Sequence, residues 1–167
     1  MPRRTTESEG AGAPLVVARD DPDQPEILAM LAESDAWYAA NYPAESNHLI
    51  DIATLKQPNV AFFTARRQGR VLGFGSIVDR CSGEERYGEI KRMYVAPTER
   101  GLGVGRRLLE ALERHAEGLG ITCIRLETGV RQPEAIGLYR SCGYREIRPF
   151  GEYHSDPLSV FMEKQLG

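Results

Sequence analysis

Histidine and cysteine are scarce in this sequence, with three of each among 167 residues. Cys81, Cys123 and Cys142 are too few and too scattered for a zinc site or a disulfide framework. Reduced thiols are the expected state, which points to a cytoplasmic protein. His48, His115 and His154 lie far apart and show no ligand spacing, so no metal is expected. No apolar run approaches the roughly 20 residues of a membrane-spanning helix, so no membrane partner is expected. Met1 to Gly12 has no apolar core segment of the kind a secretory signal needs. An excess of positive charge is missing too. The net charge is −3, which argues against the basic footprint of nucleic-acid binding.

What remains is the composition of a globular protein, 41% hydrophobic and 27% charged. Met1 to Ala13 is polar and aperiodic and reads as a loose tail. Residues 14–167 then suit one domain.

Glycine is present in an ordered place. Glu89 to Gly105 reads Glu-Ile-Lys-Arg-Met-Tyr-Val-Ala-Pro-Thr-Glu-Arg-Gly-Leu-Gly-Val-Gly. Ile90 to Ala96 has strand chemistry, and Pro97 ends it because it lacks an N–H. Arg100, Gly101, Leu102, Gly103, Val104 and Gly105 form a glycine-rich turn that feeds a helix. A helix start presents unpaired N–H groups and partial positive charge, which suits a phosphate. The standard nucleotide motifs do not fit. Arg106 and Arg107 follow Gly105 where a Walker loop needs Lys and Ser or Thr, and Arg106 stands where a dinucleotide fingerprint needs its third glycine.

Around this stretch the periodicity predicts a short strand at Leu15 to Ala18 and a helix ending near Ala40. Ile27, Met30, Leu31, Trp37 and Tyr38 would form that helix's core stripe. The bend Asn41 to His48 leads to a second helix capped by Ser46 or Asn47. Val60 to Arg66 and Arg70 to Asp79 read as a hairpin turning at Gln68-Gly69. A third strand runs from about Arg86. Gly103 to Gly118 is the clearest amphipathic helix, and Ile121 to Glu127 is a strand parallel to the one before it. A helix from about Pro133 and a closing hairpin, Tyr144 to Arg148 with Leu158 to Lys164, complete an α/β fold with a mixed sheet of about seven strands and four helices.

Arg-x-x-Gly-x-Gly at Arg100, Gly103 and Gly105 resembles the pyrophosphate motif of the GCN5-related N-acetyltransferases (GNAT). Ala135, Leu138, Tyr139, Gly143 and Tyr144, in the pattern Ala-x-x-Leu-Tyr-x-x-x-Gly-Tyr, resemble the second half of that core. The resemblance spans about Leu15 to Lys164, with its motifs in Glu89 to Tyr144. It implies acetyl-CoA as cofactor, held in a gap where two parallel strands splay. Backbone at Met93, Tyr94 and Val95 would hold the pantetheine arm, and N–H groups of about Leu102 to Arg106 the pyrophosphate. Gln132 stands where the family often has Asn.

By the same resemblance Tyr139 would protonate the departing thiolate, a phenol near pKa 10 serving a thiol near 8.5. Glu89 lies four residues before Met93, so on an ideal strand both share a face. The resemblance implies a general base at that spacing, as in the protein-lysine acetyltransferases of the superfamily, with a water chain or a structural ion pair to Lys91 as alternatives. For the acceptor, Lys91 and Arg92 can meet a carboxylate, and Glu45, Ser46, His48 and Tyr153 can complete a polar pocket. The reading is a small-molecule amine acceptor, amino-acid-like. The alternatives are a protein lysine or N-terminal acetyltransferase, or a non-catalytic acyl-CoA sensor. A homodimer is compatible with the family, and no residue pattern demands it.

Overall fold

A residue in the left-handed region at each central position closes the first hairpin: Gln68 at φ 52° and Gly69 at φ 78°. That is the twist two-residue hairpins favour, and it sets strands β2 (Val60–Arg67) and β3 (Arg70–Ser82) antiparallel. The computed structural model describes residues 12–167; most of the expected N-terminal tail lies outside the described residues. The other elements are β1 (Leu15–Arg19), α1 (Pro25–Asn41), α2 (Ile52–Leu55), β4 (Glu85–Val95), α3 (Val104–Gly118), β5 (Cys123–Gly129), α4 (Pro133–Ser141), β6 (Arg145–Ile147) and β7 (Ser159–Gln165). They form one mixed sheet of seven strands, the number the sequence pattern predicts, in the order β1-β2-β3-β4-β5-β7-β6. No helix among the described residues is long and apolar enough to cross a membrane.

Two apolar layers cover the two faces of the sheet. On one, α3 buries Val104, Leu108, Leu109, Leu112 and Ala116 against Ile90, Ile124 and Leu126. Each large side chain so buried contributes about 1.5–3 kcal/mol. On the other, α1 lays Ile27 and Leu31 on Phe62, Phe74 and Val78. Two helix expectations need correction. Trp37 and Tyr38 leave the core stripe of α1 and line a cleft instead. Helix α2 is a single turn, and its cap is Asp51, which accepts from the Thr54 N–H at 2.9 Å, not Ser46 or Asn47.

The feature that positions everything else is a bulge in β4. Tyr94 pairs with Phe74 and Lys91 with Ser76, so two β4 residues, Arg92 and Met93, stand opposite Gly75 alone. Arg92 adopts φ 56°, a left-handed conformation that costs a non-glycine residue of order 1–3 kcal/mol. Gly75 leaves room for the Met93 side chain, since a Cβ would sit 2.9 Å from its sulfur and make it shift. The bulge sends Lys91 and Arg92 to the same side, while Met93 and Val95 join the α3 layer. Glu89 and Met93 therefore do not share a face. The ideal-strand expectation fails because the extra residue breaks the two-residue alternation.

Candidate active site

Strands β4 and β5 pair in parallel only at Gly88↔Ile124, Glu89↔Arg125 and Ile90↔Leu126. Beyond that point both continue, to Val95 and Gly129, without bonding each other. The parting strands open a cleft of about 1010 Å³ walled by α1, α3 and α4. Peptide groups on the open edge of β4 keep hydrogen-bonding capacity that a strand partner would otherwise use. An amide-bearing chain fits such an edge. In the present structure Arg100 Nε donates to one of these groups, the Val95 carbonyl, at 3.0 Å.

One end of the cleft is backbone chemistry. Gly101 and Gly103 take φ of 78° and 84°, and Gly103 is the N-cap of α3. Arg107 N–H donates to the carbonyl of that cap, Gly103, at 3.1 Å. The N–H groups just ahead of it have no earlier helical turn to donate to. Gly105 lets α4 approach, because a Cβ there would meet the Leu138 side chain at 2.9 Å. Arg106 donates to Ser141 Oγ at 2.8 Å and so ties α3 to α4 across the cleft. Leu102 points outward, 64% exposed, and does not line the cleft. The left-handed glycines, free N–H groups and open strand edge fit a long cofactor with a pyrophosphate and an amide arm.

Tyr139 lines the middle of the cleft from α4, its ring buried against Tyr144 at 5.7 Å between centroids. Burial raises its pKa well above the ordinary phenol value. Its hydroxyl makes no hydrogen bond among the described residues and is open to a ligand. Gln132 is engaged instead. Its Nε2 donates to Tyr38 Oη at 2.7 Å, and its Oε1 accepts from Gly129 N–H at 3.1 Å. Tyr42 Oη accepts from Arg131 N–H at 2.9 Å. Only glycine fits at 129, where a Cβ would lie 1.9 Å from that hydroxyl.

The other end is side-chain chemistry. Glu89 is 2% exposed and does not line the cleft. Arg80 Nε donates to its Oε1 at 3.0 Å, and Tyr153 Oη donates to its Oε2 at 2.6 Å. Burial, then the Glu89 charge, raises the Tyr153 pKa. Lys91 does reach the cleft, but its ammonium donates to the His48 carbonyl at 3.0 Å and to Tyr153 Oη, with Glu89 at 3.5 Å. Arg92 is paired with Asp35 of α1, yet its buried Nε has no partner among the described residues. An orphaned buried donor costs about 1–3 kcal/mol. Ser46 and His48 line the cleft, whereas Glu45 and Tyr153 do not.

Glu127 was not singled out from the sequence. It projects from β5 into the cleft and forms no ion pair among the described residues. Burial raises its pKa; the Ser159 hydroxyl, then the charges of His48 and Lys91, oppose that shift, and Glu89 adds to it. The signal was there: Glu127 ends the run Ile-Arg-Leu-Glu, where apolar residues alternate with charged ones on a central strand. Trp37, Tyr38, Tyr42 and Arg131 complete this end.

A sheet parted at a parallel pair, a glycine loop at a helix start and a buried tyrosine together define a CoA-dependent acyltransferase. Residues 27–144 match the family model described as Acetyltransferase (GNAT) family. Over 152 residues the chain is 47% identical to the IAA acetyltransferase of Azospirillum brasilense, covering 91% of this chain and 98% of that one. Among solved structures, a Klebsiella pneumoniae protein described as an acyl-CoA N-acyltransferase superposes with a TM-score of 0.78 at 38% identity, over 92% of this chain and 98% of its own. The PaiA N-acetyltransferase of Thermoplasma acidophilum, solved with coenzyme A, shares the fold at a TM-score of 0.70 and 18% identity, over 91% and 99%. The chain belongs to the GNAT family. It is an N-acetyltransferase that uses acetyl-CoA as donor.

Proposed function

We propose that the protein moves an acetyl group from acetyl-CoA to the primary amine of a small molecule by direct attack, with no covalent enzyme intermediate. The observation that carries this reading is that Glu127 and Tyr139 line one cleft from adjacent elements, β5 and α4, where β4 and β5 part. Bound acetyl-CoA supplies an activated thioester. The open backbone of Met93 to Val95 would hold its arm, and the N–H groups at the start of α3 its pyrophosphate.

Glu127 faces the incoming ammonium as a carboxylate with no ion-pair partner among the described residues. It attracts the amine and takes its proton, and its raised pKa makes it a stronger base than an exposed glutamate. Tyr139 stays protonated throughout the working pH range because burial raises its pKa. It serves the departing sulfur as a hydrogen-bond donor, since complete transfer from so weak an acid to a thiolate is uphill. No cysteine lines the cleft among the described residues, which supports attack without an acyl-enzyme. Glu89 would act at one remove as a positioning residue, holding Tyr153 and Lys91, and through Lys91 the His48 backbone. The walled acceptor end, closed by α1 and the bend carrying Ser46 and His48, favours a small acceptor over a protein chain. We place the enzyme in the cytoplasm, where the exposed thiol of Cys81 stays reduced.

The test is acetyl-CoA-dependent thiol release over a panel of amino acids, polyamines, aminoglycosides and a lysine peptide, with CoA binding followed by calorimetry. Turnover of one small-amine class is expected. Turnover of the peptide alone would overturn the small-molecule reading, and CoA binding with no turnover of any amine would favour a sensor. Tyr139→Phe is expected to lower kcat by about 10²-fold while leaving acetyl-CoA affinity nearly unchanged. An unchanged kcat would remove Tyr139 from the chemistry.

A further inference from the structure

The acceptor end holds two cations from β4, and only one is free to meet a ligand. Lys91 already donates to the His48 carbonyl and Tyr153 Oη and stands beside Glu89. Arg92 is 8% exposed, lines the cleft, and keeps an unpartnered Nε among the described residues. Its one ionic partner, Asp35, is 54% exposed at the side chain and leaves part of the fork unused. A guanidinium fork with a free Nε suits a carboxylate, which accepts two parallel N–H bonds.

A second observation concerns the wall beside it. Trp37, the single tryptophan of the chain, is one of few large apolar side chains left exposed, and its exposure opens on the cleft. It is braced edge-on by Tyr38 at 5.2 Å and by Tyr42 at 6.0 Å between centroids. A braced, exposed indole inside a cleft offers a flat apolar platform. A third observation is the placing of charge. Arg92 on β4 and Glu127 on β5 line the same cleft, a cation and a carboxylate on the two strands that part. A small zwitterion spans such a pair.

We infer that Arg92 and Trp37 form an acceptor subsite for an α-amino acid with an aromatic side chain, with its carboxylate on the Arg92 guanidinium and its ring on Trp37. This deepens the proposed reading of a small primary amine and rests on it for turnover, though not for binding. The amino group then falls toward Glu127. The strained bulge gains a purpose, because it alone turns Arg92 to the acceptor side of β4.

The test compares three ligands that differ at one group: phenylalanine, its neutral amide, and phenethylamine, which has no carboxylate. Thiol release at saturating acetyl-CoA gives kcat/KM for each, and calorimetry on the CoA complex gives Kd. Phenylalanine is expected to exceed phenethylamine at least tenfold in both. In Arg92→Gln the ratio of phenylalanine to phenethylamine should collapse toward one through KM; Trp37→Ala should weaken phenylalanine more than alanine. Equal or tighter binding of phenethylamine by the unmodified enzyme would overturn the subsite, with no variant needed. Preferential binding of phenylalanine without turnover would uphold the subsite and count against the amine-acetylation reading.

Discussion

The two ends of the cleft are built from different material. The donor end is backbone: left-handed Gly101 and Gly103, the start of α3 and the unpaired edge of β4. The acceptor end is side chain: Glu127, Arg92, Lys91 and the aromatic group on α1. Backbone recognition needs only a local path, so a short motif specifies it and many sequences share it. Side-chain recognition needs groups from α1, β4, β5 and the bend before α2 to converge, and each can change alone. One end therefore serves a constant donor, and the other suits an acceptor particular to this protein.

The sharpest way to break that division is Glu127→Gln. The neutral amide is nearly isosteric but cannot take a proton. We expect kcat/KM to fall by about 10²–10⁴, with acetyl-CoA affinity unchanged. The pH profile carries the sign. Glu127 works ionised, and burial holds its pKa above the ordinary value of about 4.3. The rate should thus fall as pH drops through that raised value and be level above it. The variant should lose this acid limb. A retained limb would assign it to another group.

Gly129→Ala probes how the ends are joined. Its Cβ would lie 1.9 Å from the Tyr42 hydroxyl, so Tyr42 must leave the Arg131 N–H and the Gln132 side chain. Overpacking of this kind costs about 1–3 kcal/mol. In a protein of this size that lowers Tm by roughly 2–4 °C per kcal/mol, measurable by thermal unfolding. Because Gln132 also holds Tyr38, acceptor KM should rise as well. A variant with unaltered Tm and KM would show that the Tyr42–Gln132 link does not shape the site.

The same division explains what was legible in the sequence. The meander, the parallel pair, the α3 stripe and the glycine-rich turn follow from local periodicity and turn chemistry, and the fold has them where that reasoning puts them. The bulge leaves only a faint signature: Lys91-Arg92 puts two charged residues in succession between Ile90 and Met93, and Gly75, sixteen residues before Lys91, marks where the extra residue is absorbed. Without the bulge, Glu89 looked aligned with Met93. Glu127 stood in plain sight on β5, but its meaning depends on the strands parting at Leu126, a tertiary event. Trp37 and Tyr38 fit the α1 core stripe by spacing; helix length carries them past the end of the sheet contact and into the cleft.

A last pair of substitutions, Gly103→Ala and Leu102→Ala, tests whether the donor end is truly backbone. At Gly103 a Cβ would meet nothing within 4 Å, so the only penalty is the φ of 84°, about 1–2 kcal/mol for an L-residue. If the loop relaxes to avoid it, its N–H groups turn away. Acetyl-CoA binding should then weaken by roughly 5–30-fold at constant acceptor KM. Leu102 sits beside it with a larger, outward side chain, and its removal leaves φ and ψ free to stay as they are. Its effect should be within about 0.5 kcal/mol, measured as acetyl-CoA Kd by calorimetry. Loss of a methyl-free backbone would then outweigh loss of a whole leucine one residue away, which only a backbone site explains. The reverse order would mean that Leu102 contacts the cofactor and that the donor end, like the acceptor end, reads its ligand with side chains.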